Sequence, residues 1–301
     1  MPEFGILSGL FGAEYSLKRY HAFGLSIEAD LDFPELLKVD SDGSGPDLVI
    51  TQSAGISPFQ TPVADHQPQP DKLQFRLKII NAGDFLIENG NRITYQPADG
   101  VSEGELRLFL LGSCLGCVLQ QRGLVVLHGN AVTTDGETCK IIVGHQGAGK
   151  STYAAWYYQQ GAKILADDVC ALSWDAQGRP QVIPSYPQLK LWQATADLLG
   201  IRTQGLRRVR PQDEKFALPI TDQFWRSPLP LTEVIELSST STTVAPIVGM
   251  YKARCLIEHS YRYNFLENMG LTRAYMKTVL RLTSLVTMKT GGRMALNGPG
   301  I

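Results

Sequence analysis

The sequence has little of what marks a secreted, membrane-spanning or nucleic-acid-binding chain. Cysteine is scarce: Cys114, Cys117, Cys139, Cys170 and Cys255 form an odd, scattered set in 301 residues. No opening stretch reads as a secretion signal, so reduced thiols in a cytoplasm are expected in place of a disulfide framework. Cys114 and Cys117 make a CxxC, but no second pair or Cys/His cluster lies near them in sequence, which favours core cysteines over a redox or metal site. Long apolar runs are missing too. The longest, Leu106 to Leu119, is broken by Arg107, Gly112, Ser113 and Gly116. It falls short of the ~20 residues that cross a bilayer and reads as a buried helix. Neither charge sign is in excess: the formal net charge is −1, so nothing global argues for a nucleic-acid or membrane partner. No internal repeat is visible.

What is there is an ordinary globular composition, 44% hydrophobic and 19% charged, with material for one large or two small domains. Its most informative stretch is Gly144-His145-Gln146-Gly147-Ala148-Gly149-Lys150-Ser151, a GxxxxGK[ST] phosphate-binding loop. The glycines let successive N–H groups turn inward to phosphate oxygens. Lys150 brings a positive charge to the β- and γ-phosphates, and the Ser151 hydroxyl can ligate Mg²⁺. The apolar Ile141-Ile142-Val143 before the loop suits a buried strand, and Ser151 to Tyr158 after it can run as a helix that begins at the phosphates. Thr152, next in line, falls in the same nucleotide-binding stretch. His145 occupies a position the motif leaves free and contributes through its backbone alone.

Residues 1–100 read as a β-rich N-terminal domain and residues 101–301 as the nucleotide-binding domain, an α/β chain as a whole. Tyr20 to Ile27 mixes aromatic and aliphatic residues; Asp47 to Thr51 and the alternating Leu73 to Ile79 are strands. Asp84 to Glu88 and Arg92 to Tyr95 flank the turn Asn89-Gly90-Asn91. Ser41 to Asp71, rich in Pro, Gly, Gln and Ser, is mostly loop. A helix is expected over Ser102 to Gln121, opened by a capping box of Ser102 and Glu105. Leu124 to Leu127 is a buried strand ending at His128-Gly129, and a hairpin turns at Asp135-Gly136. After the loop come Lys163 to Val169, a strand pair over Ser173 to Pro184, and a helix over 190–200 that begins near Trp192 and ends at Gly200. Strands are expected at Val234 to Leu237 and Ile247 to Met250, with a final helix over Leu271 to Met288 stopped by Gly291-Gly292.

Two acids carry the remaining chemistry. Asp167 and Asp168 sit near the end of an apolar run shortly after the loop, where a metal-binding carboxylate belongs. One can hold Mg²⁺ while the other accepts a proton from an incoming hydroxyl. Neighbours on a strand point to opposite sides, so both can act only if the chain bends there. His128 is a further candidate that the residues alone leave open. The run with Arg202, Arg207, Arg208, Arg210 and Lys215 suits either a phosphate or acidic-peptide site or a solvated face.

Leu127-His128-Gly129, the loop, and Leu165-Ala166-Asp167-Asp168-Val169 together resemble the HPr kinase/phosphorylase catalytic domain, best over residues 124–200. The resemblance implies a phosphoenolpyruvate carboxykinase-like P-loop kinase fold, ATP and Mg²⁺, and transfer to a serine. It also implies Asp167 as catalytic acid/base, Asp168 beside the metal with Ser151, and His128 in the active site. Thr152 stands where the family commonly has Glu, and the glycine-rich segment linked to reverse phosphorolysis is not found; both point away from the carrier-protein phosphorylase. Tyr20 to Leu25, Pro187 to Trp192, and the segment with Arg208, Val209, Arg210 and Lys215 are similar to the HPr kinase-like enzymes that phosphorylate a serine near the C-terminus of lasso-peptide precursors. The expectation is therefore an ATP-dependent serine kinase acting on a peptide or small protein, with Arg208 and Arg210 at the acceptor. An HPr carrier-protein kinase, a small-molecule kinase and a non-catalytic nucleotide-binding regulator are the alternatives, and a homo-oligomer is left open.

Overall fold

The structure, a computed structural model, describes residues 17–41, 43–53 and 73–296. It is a mixed α/β fold in which helices pack against two seven-stranded sheets and one three-stranded sheet.

The first sheet comprises β1 (Lys18–Ala22), β2 (Leu25–Ala29), β3 (Leu37–Lys38), β4 (Leu48–Gln52), β5 (Gln74–Ile79), β6 (Gly83–Glu88) and β7 (Arg92–Pro97), in the order β3-β1-β2-β4-β7-β6-β5. Period-two alternation builds it: Leu25, Ile27 and Ala29 of β2 are buried, as are Phe85 and Ile87 of β6, while the residues between them are half-exposed. The hairpin at Asn89-Gly90 forms as expected, with φ of 52° and 65°. The stretch from Tyr20 to Ile27 is two antiparallel strands turning at Phe23-Gly24. Most of the loop expected between Ser41 and Asp71 falls on residues 54–72, outside the described residues.

Ser102 opens α1 (Glu103–Phe109): its Oγ accepts the Glu105 N–H at 3.3 Å and donates to the Glu105 carboxylate at 3.1 Å. The helix continues through a π-helical turn at Leu110–Cys114 into α2 (Leu115–Gln121), and every residue of that turn and of α2 is buried. Gln121 fastens it to the first sheet, accepting the Gly90 N–H at 2.8 Å and donating to the Ile87 carbonyl at 3.3 Å. All five cysteines are buried free thiols, as expected of core residues.

The chain then forms β8 (Val125–Thr133), β9 (Cys139–Gly144), α3 (Lys150–Gln159), β10 (Lys163–Trp174), β11 (Pro180–Ile183), β12 (Gln188–Trp192), α4 (Gln193–Leu198), β13 (Arg207–Arg208), β14 (Lys215–Pro219), β15 (Leu229–Leu237), β16 (Ala245–Pro246), α5 (Met250–Glu258), α6 (Tyr263–Asn268), α7 (Thr272–Thr283) and β17 (Thr287–Gly291). The second sheet runs β11-β10-β8-β9-β15-β17-β16, and β11 also pairs with β15, closing its first five strands into a barrel-like ring. Both faces are covered. Ile141 and Val143 of β9 face the main core, which is continuous with the first sheet, while Ile142 faces a second core around Tyr153, Ala154 and Ala155 of α3. A three-stranded sheet, β12-β14-β13, flanks the second sheet. Among the described residues no helix is long and apolar enough to cross a membrane.

Three expectations need correction. The strand at Leu124 to Leu127 does not stop at His128-Gly129; it continues as β8 to Thr133, because β10 and β9 pair with it along that length. Ile247 to Met250 is not a strand: β16 precedes it and α5 starts at Met250. The final helix ends at Thr283, and Thr287 to Gly291 lies parallel to β15, so sheet pairing overrides the local helical pattern. The helices α5 and α6 were not foreseen.

Candidate functional site

The phosphate loop occupies the gap between the end of β9 at Gly144 and the start of α3 at Lys150. His145, Gln146 and Gly147 are exposed, while Ala148 is buried. The Lys150 ammonium folds over its own loop, donating to the Gly144 carbonyl at 2.7 Å and the His145 carbonyl at 3.3 Å. Burial lowers its proton affinity, and the charges of Asp168 and Asp167 act against that lowering. The motif lysine is thus electrostatically coupled to the two acids. Ser151 lies half-buried in the first turn of α3. The Thr152 hydroxyl is bonded to that of Thr195 at 2.9 Å, so its side chain joins α3 to α4 and leaves only the backbone for a ligand.

Strand register explains why residues far apart in sequence meet here. Asp168 on β10 pairs with Gly129 on β8, and Gly129 pairs with Val143 on β9, one residue before the loop. With strands roughly 4.8 Å apart, the acids stand about two strand spacings from the phosphate loop. Gly129 is needed for this approach: a Cβ there would fall 2.4 Å from the Ile142 carbonyl oxygen. That gives the glycine of the His128-Gly129 pair a backbone reason.

Asp167 and Asp168 lie in the middle of β10 and not near a strand end. The bend required for both to act is present: Asp168 has φ 72°, in the left-handed region. A non-glycine residue there stores on the order of 1–3 kcal/mol of strain, and such residues cluster at functional sites. Asp167 is 3% exposed and accepts from the Asn130 side-chain amide at 2.5 Å and the Lys190 backbone N–H at 2.8 Å. Asp168 accepts from the Lys190 ammonium at 3.3 Å. His128 Nδ1 lies 3.2 Å from both the carboxylate and the carbonyl oxygen of Asp168, so its Nδ1–H faces two acceptors.

Environment pushes the two acids apart. Burial would raise Asp168, but the Lys190 ammonium and the His128 hydrogen bond outweigh it and hold the carboxyl well below the ordinary carboxylate range. Asp167 is raised, chiefly by burial, with Lys190 only partly offsetting it. Titratable pairs separated in this way are typical of acid–base sites.

Lys190, the centre of this arrangement, was not singled out in the sequence. It is 5% exposed. Burial opposes its charge, yet Tyr186, Asp168 and Asp167 hold its proton affinity well above that of an ordinary lysine. The available signal was a lysine between two leucines in an alternating run, Gln188-Leu189-Lys190-Leu191, 22 residues after Asp168.

A cleft opens beside Lys190, lined among others by Glu35, Arg107, Tyr186, Gln188 and Arg207. Glu35 comes from the first sheet's side and pairs with Arg107 at 3.2 Å and Arg207 at 2.5 Å. Of the basic segment, Arg207 lines this cleft. Arg208 lies over the Phe216 ring at 5.6 Å and Arg210 over the Phe109 ring at 5.5 Å.

On the other side of the loop, Glu236, Cys255 and His259 bring their donor atoms within 4.8 Å of one another. They already bond among themselves: His259 Nε2 lies 3.0 Å from Glu236, which this contact holds below the ordinary carboxylate value. The His259 ring stacks edge-on against His145 at 5.1 Å, and its carbonyl accepts the His128 N–H at 2.7 Å. The group therefore braces the loop and the His128 strand. No protein-family model matches the chain, and neither does any curated protein.

Proposed function

We propose that the chain is an ATP-dependent, Mg²⁺-requiring kinase that phosphorylates a serine hydroxyl on a peptide or small protein. The observation that carries this reading is one cluster, Asp167, Asp168, His128 and Lys190, set on strands beside a complete phosphate loop and coupled to its lysine. The order of an antiparallel β8–β9 hairpin, the loop, and acids on β10 supports a nucleotide domain of the phosphoenolpyruvate carboxykinase-like type.

In this reading the loop amides and Lys150 bind the β- and γ-phosphates. The donors suit a hard cation: Ser151 and Asp168 offer oxygen, and Lys190 and His128 keep Asp168 ionised. When bound there, Mg²⁺ neutralises phosphate charge. Asp167 has the raised proton affinity a general base needs, and its bonds to Asn130 and Lys190 fix its orientation. Exposure favours a second assignment that exchanges the acids, because 30% of the Asp168 side chain reaches solvent while Asp167 is nearly closed off. The basic cleft and the neighbouring Arg208 and Arg210 suit an acceptor carrying a carboxylate near its serine.

The test is transfer from ATP in the presence of Mg²⁺ to peptides ending in serine, to HPr-type carrier proteins and to small alcohols, with the product identified by mass spectrometry. Phosphoserine on peptide is expected. Phosphate only on small alcohols, or on none of the acceptors despite tight ATP binding, would replace the reading with a metabolite kinase or a nucleotide-binding regulator.

A further inference from the structure

The chain's last described turn reaches back to the phosphate loop. β17 ends at Gly291, and Gly292 can only be glycine, since a Cβ would lie 2.1 Å from the Ser241 carbonyl oxygen. The turn is anchored on its far side by the Leu296 carbonyl, which accepts from Tyr153 Oη of α3 at 2.8 Å. Between these two fixed points stands Arg293. Its side chain lies flat on the loop: a Cβ on Gly149 would fall 2.8 Å from Arg293 Nε and 2.9 Å from its Cδ and Cζ. Gly149 itself has φ 92°. A side chain at that position would be strained and would also displace the guanidinium.

Arg293 Nη1 is buried and has no hydrogen-bond partner among the described residues. A guanidinium donor left in that condition is costly, and an anion repays the cost. Among the described residues Lys150, the other cation, donates only to carbonyl oxygens of the loop itself. The loop thus gathers two cations beside the start of a ten-residue helix, α3, where backbone N–H groups also attract negative charge.

We propose that Arg293 is a second cationic arm of the phosphate loop, supplied in cis by the Gly291-Gly292-Arg293 turn, and that it binds the polyphosphate of the nucleotide directly. The proposal rests on the reading of the loop as a nucleotide site and adds a binding residue to it. The ligand class is a phosphoanhydride chain. Recognition is by the forked guanidinium donors and not by stacking on a base. The turn also couples the β17 end of the second sheet to nucleotide occupancy, because Arg293 and the Tyr153–Leu296 bond hold it on either side.

Titration calorimetry with ATP and with inorganic tripolyphosphate, which has no base, tests this on the full chain and on Arg293→Met and Arg293→Lys. Methionine keeps much of the packing against Gly149 without the charge. Arg293→Met is expected to lose about 10- to 100-fold in affinity for both ligands, the worth of a charge-assisted hydrogen bond, and Arg293→Lys to lose less. Affinities within twofold of wild type in Arg293→Met would overturn the proposal and leave the loop assignment intact. A loss for ATP alone, with tripolyphosphate unaffected, would overturn it in favour of base stacking. If wild type binds neither ligand, the nucleotide reading of the loop falls and the proposal with it. Should Arg293→Met not fold, wild-type protein is treated with an arginine-selective dicarbonyl and mapped by mass spectrometry. Saturating tripolyphosphate should protect Arg293, and unchanged modification would overturn the proposal.

Discussion

Replacing Lys190 by methionine removes the ammonium that holds the acid pair together while keeping a chain of similar length. The lost contact is 3.3 Å from Asp168, and the lysine side chain is 7% exposed. Removing one partner of a buried pair costs about 3–5 kcal/mol. The low end, about 3 kcal/mol near pH 7.5, is expected, because the Asp168 side chain keeps 30% of its surface in solvent. The pH dependence is more diagnostic than the size. In wild type the Asp168 carboxyl is depressed. Its stabilising contribution is present above the unfolded value of about 3.9 and is lost only as pH falls through the still lower folded value. That contribution is therefore constant between roughly pH 5 and pH 8. Without the ammonium, burial, already the largest single influence, outweighs the remaining pull of His128 and Lys215 and raises the folded-state value above the unfolded one. A raised carboxyl is stabilising when protonated, so the deficit of Lys190→Met should be full near pH 8 and shrink as pH falls. Urea denaturation of both proteins from about pH 5 to pH 8 measures this. Adding Asp168→Asn should restore part of the loss by removing the stranded charge. A deficit below about 1 kcal/mol, typical of an exposed pair, or one that does not change with pH, would refute the reasoning.

Gly129→Ala should cost about 1–3 kcal/mol of stability, since its Cβ would meet the Ile142 carbonyl oxygen at 2.4 Å; unchanged denaturation would contradict the close strand approach. Asp167→Asn should lose about 1–3 kcal/mol, because its amide NH₂ would face one of the two N–H donors now bonded to Asp167. It should keep ATP affinity in calorimetry and lose transfer; full activity would move the base to Asp168. Arg207→Ala should raise KM for a peptide acceptor more than for ATP and more than Arg208→Ala with Arg210→Ala does. The effect should shrink at high salt, where screening already weakens wild-type binding. The reverse ranking would shift the acceptor from the cleft to the outer face of the segment.

The parts of this molecule that could be read from sequence are those set by local backbone chemistry. The phosphate loop depends on glycines and a following helix, both visible from Gly144 to Tyr158. The hairpins at Asn89-Gly90 and Asp135-Gly136 depend on turn residues and alternation, and both formed. What escaped was set by tertiary pairing. The bend at Asp168 requires pairing with β8 and contact with β12, neither of which a local pattern encodes. Lys190 is charged and buried only because two acids from another strand face it. Arg207 and Arg208 are indistinguishable in sequence, yet one meets Glu35 and the other an aromatic ring. The stretch after Thr283 has helical spacing but fills the place beside β15 as a strand. Gly291-Gly292 read as a helix stop, whereas Gly291 ends β17 and Gly292 lies too close to the Ser241 carbonyl oxygen for a Cβ to fit.

The most direct measurement of the central claim follows the γ-phosphoryl group itself. Wild type, Lys150→Ala and Asp168→Asn, each confirmed folded by circular dichroism, are given γ-labelled ATP with Mg²⁺ and a serine-terminated peptide. The account predicts label on the serine hydroxyl with wild type, none above background with Lys150→Ala, and a loss of at least about 100-fold with Asp168→Asn, in the range that preorganised charged groups contribute. Label transfer by Asp168→Asn at the wild-type rate, or none by a wild-type protein that binds ATP tightly, would contradict it.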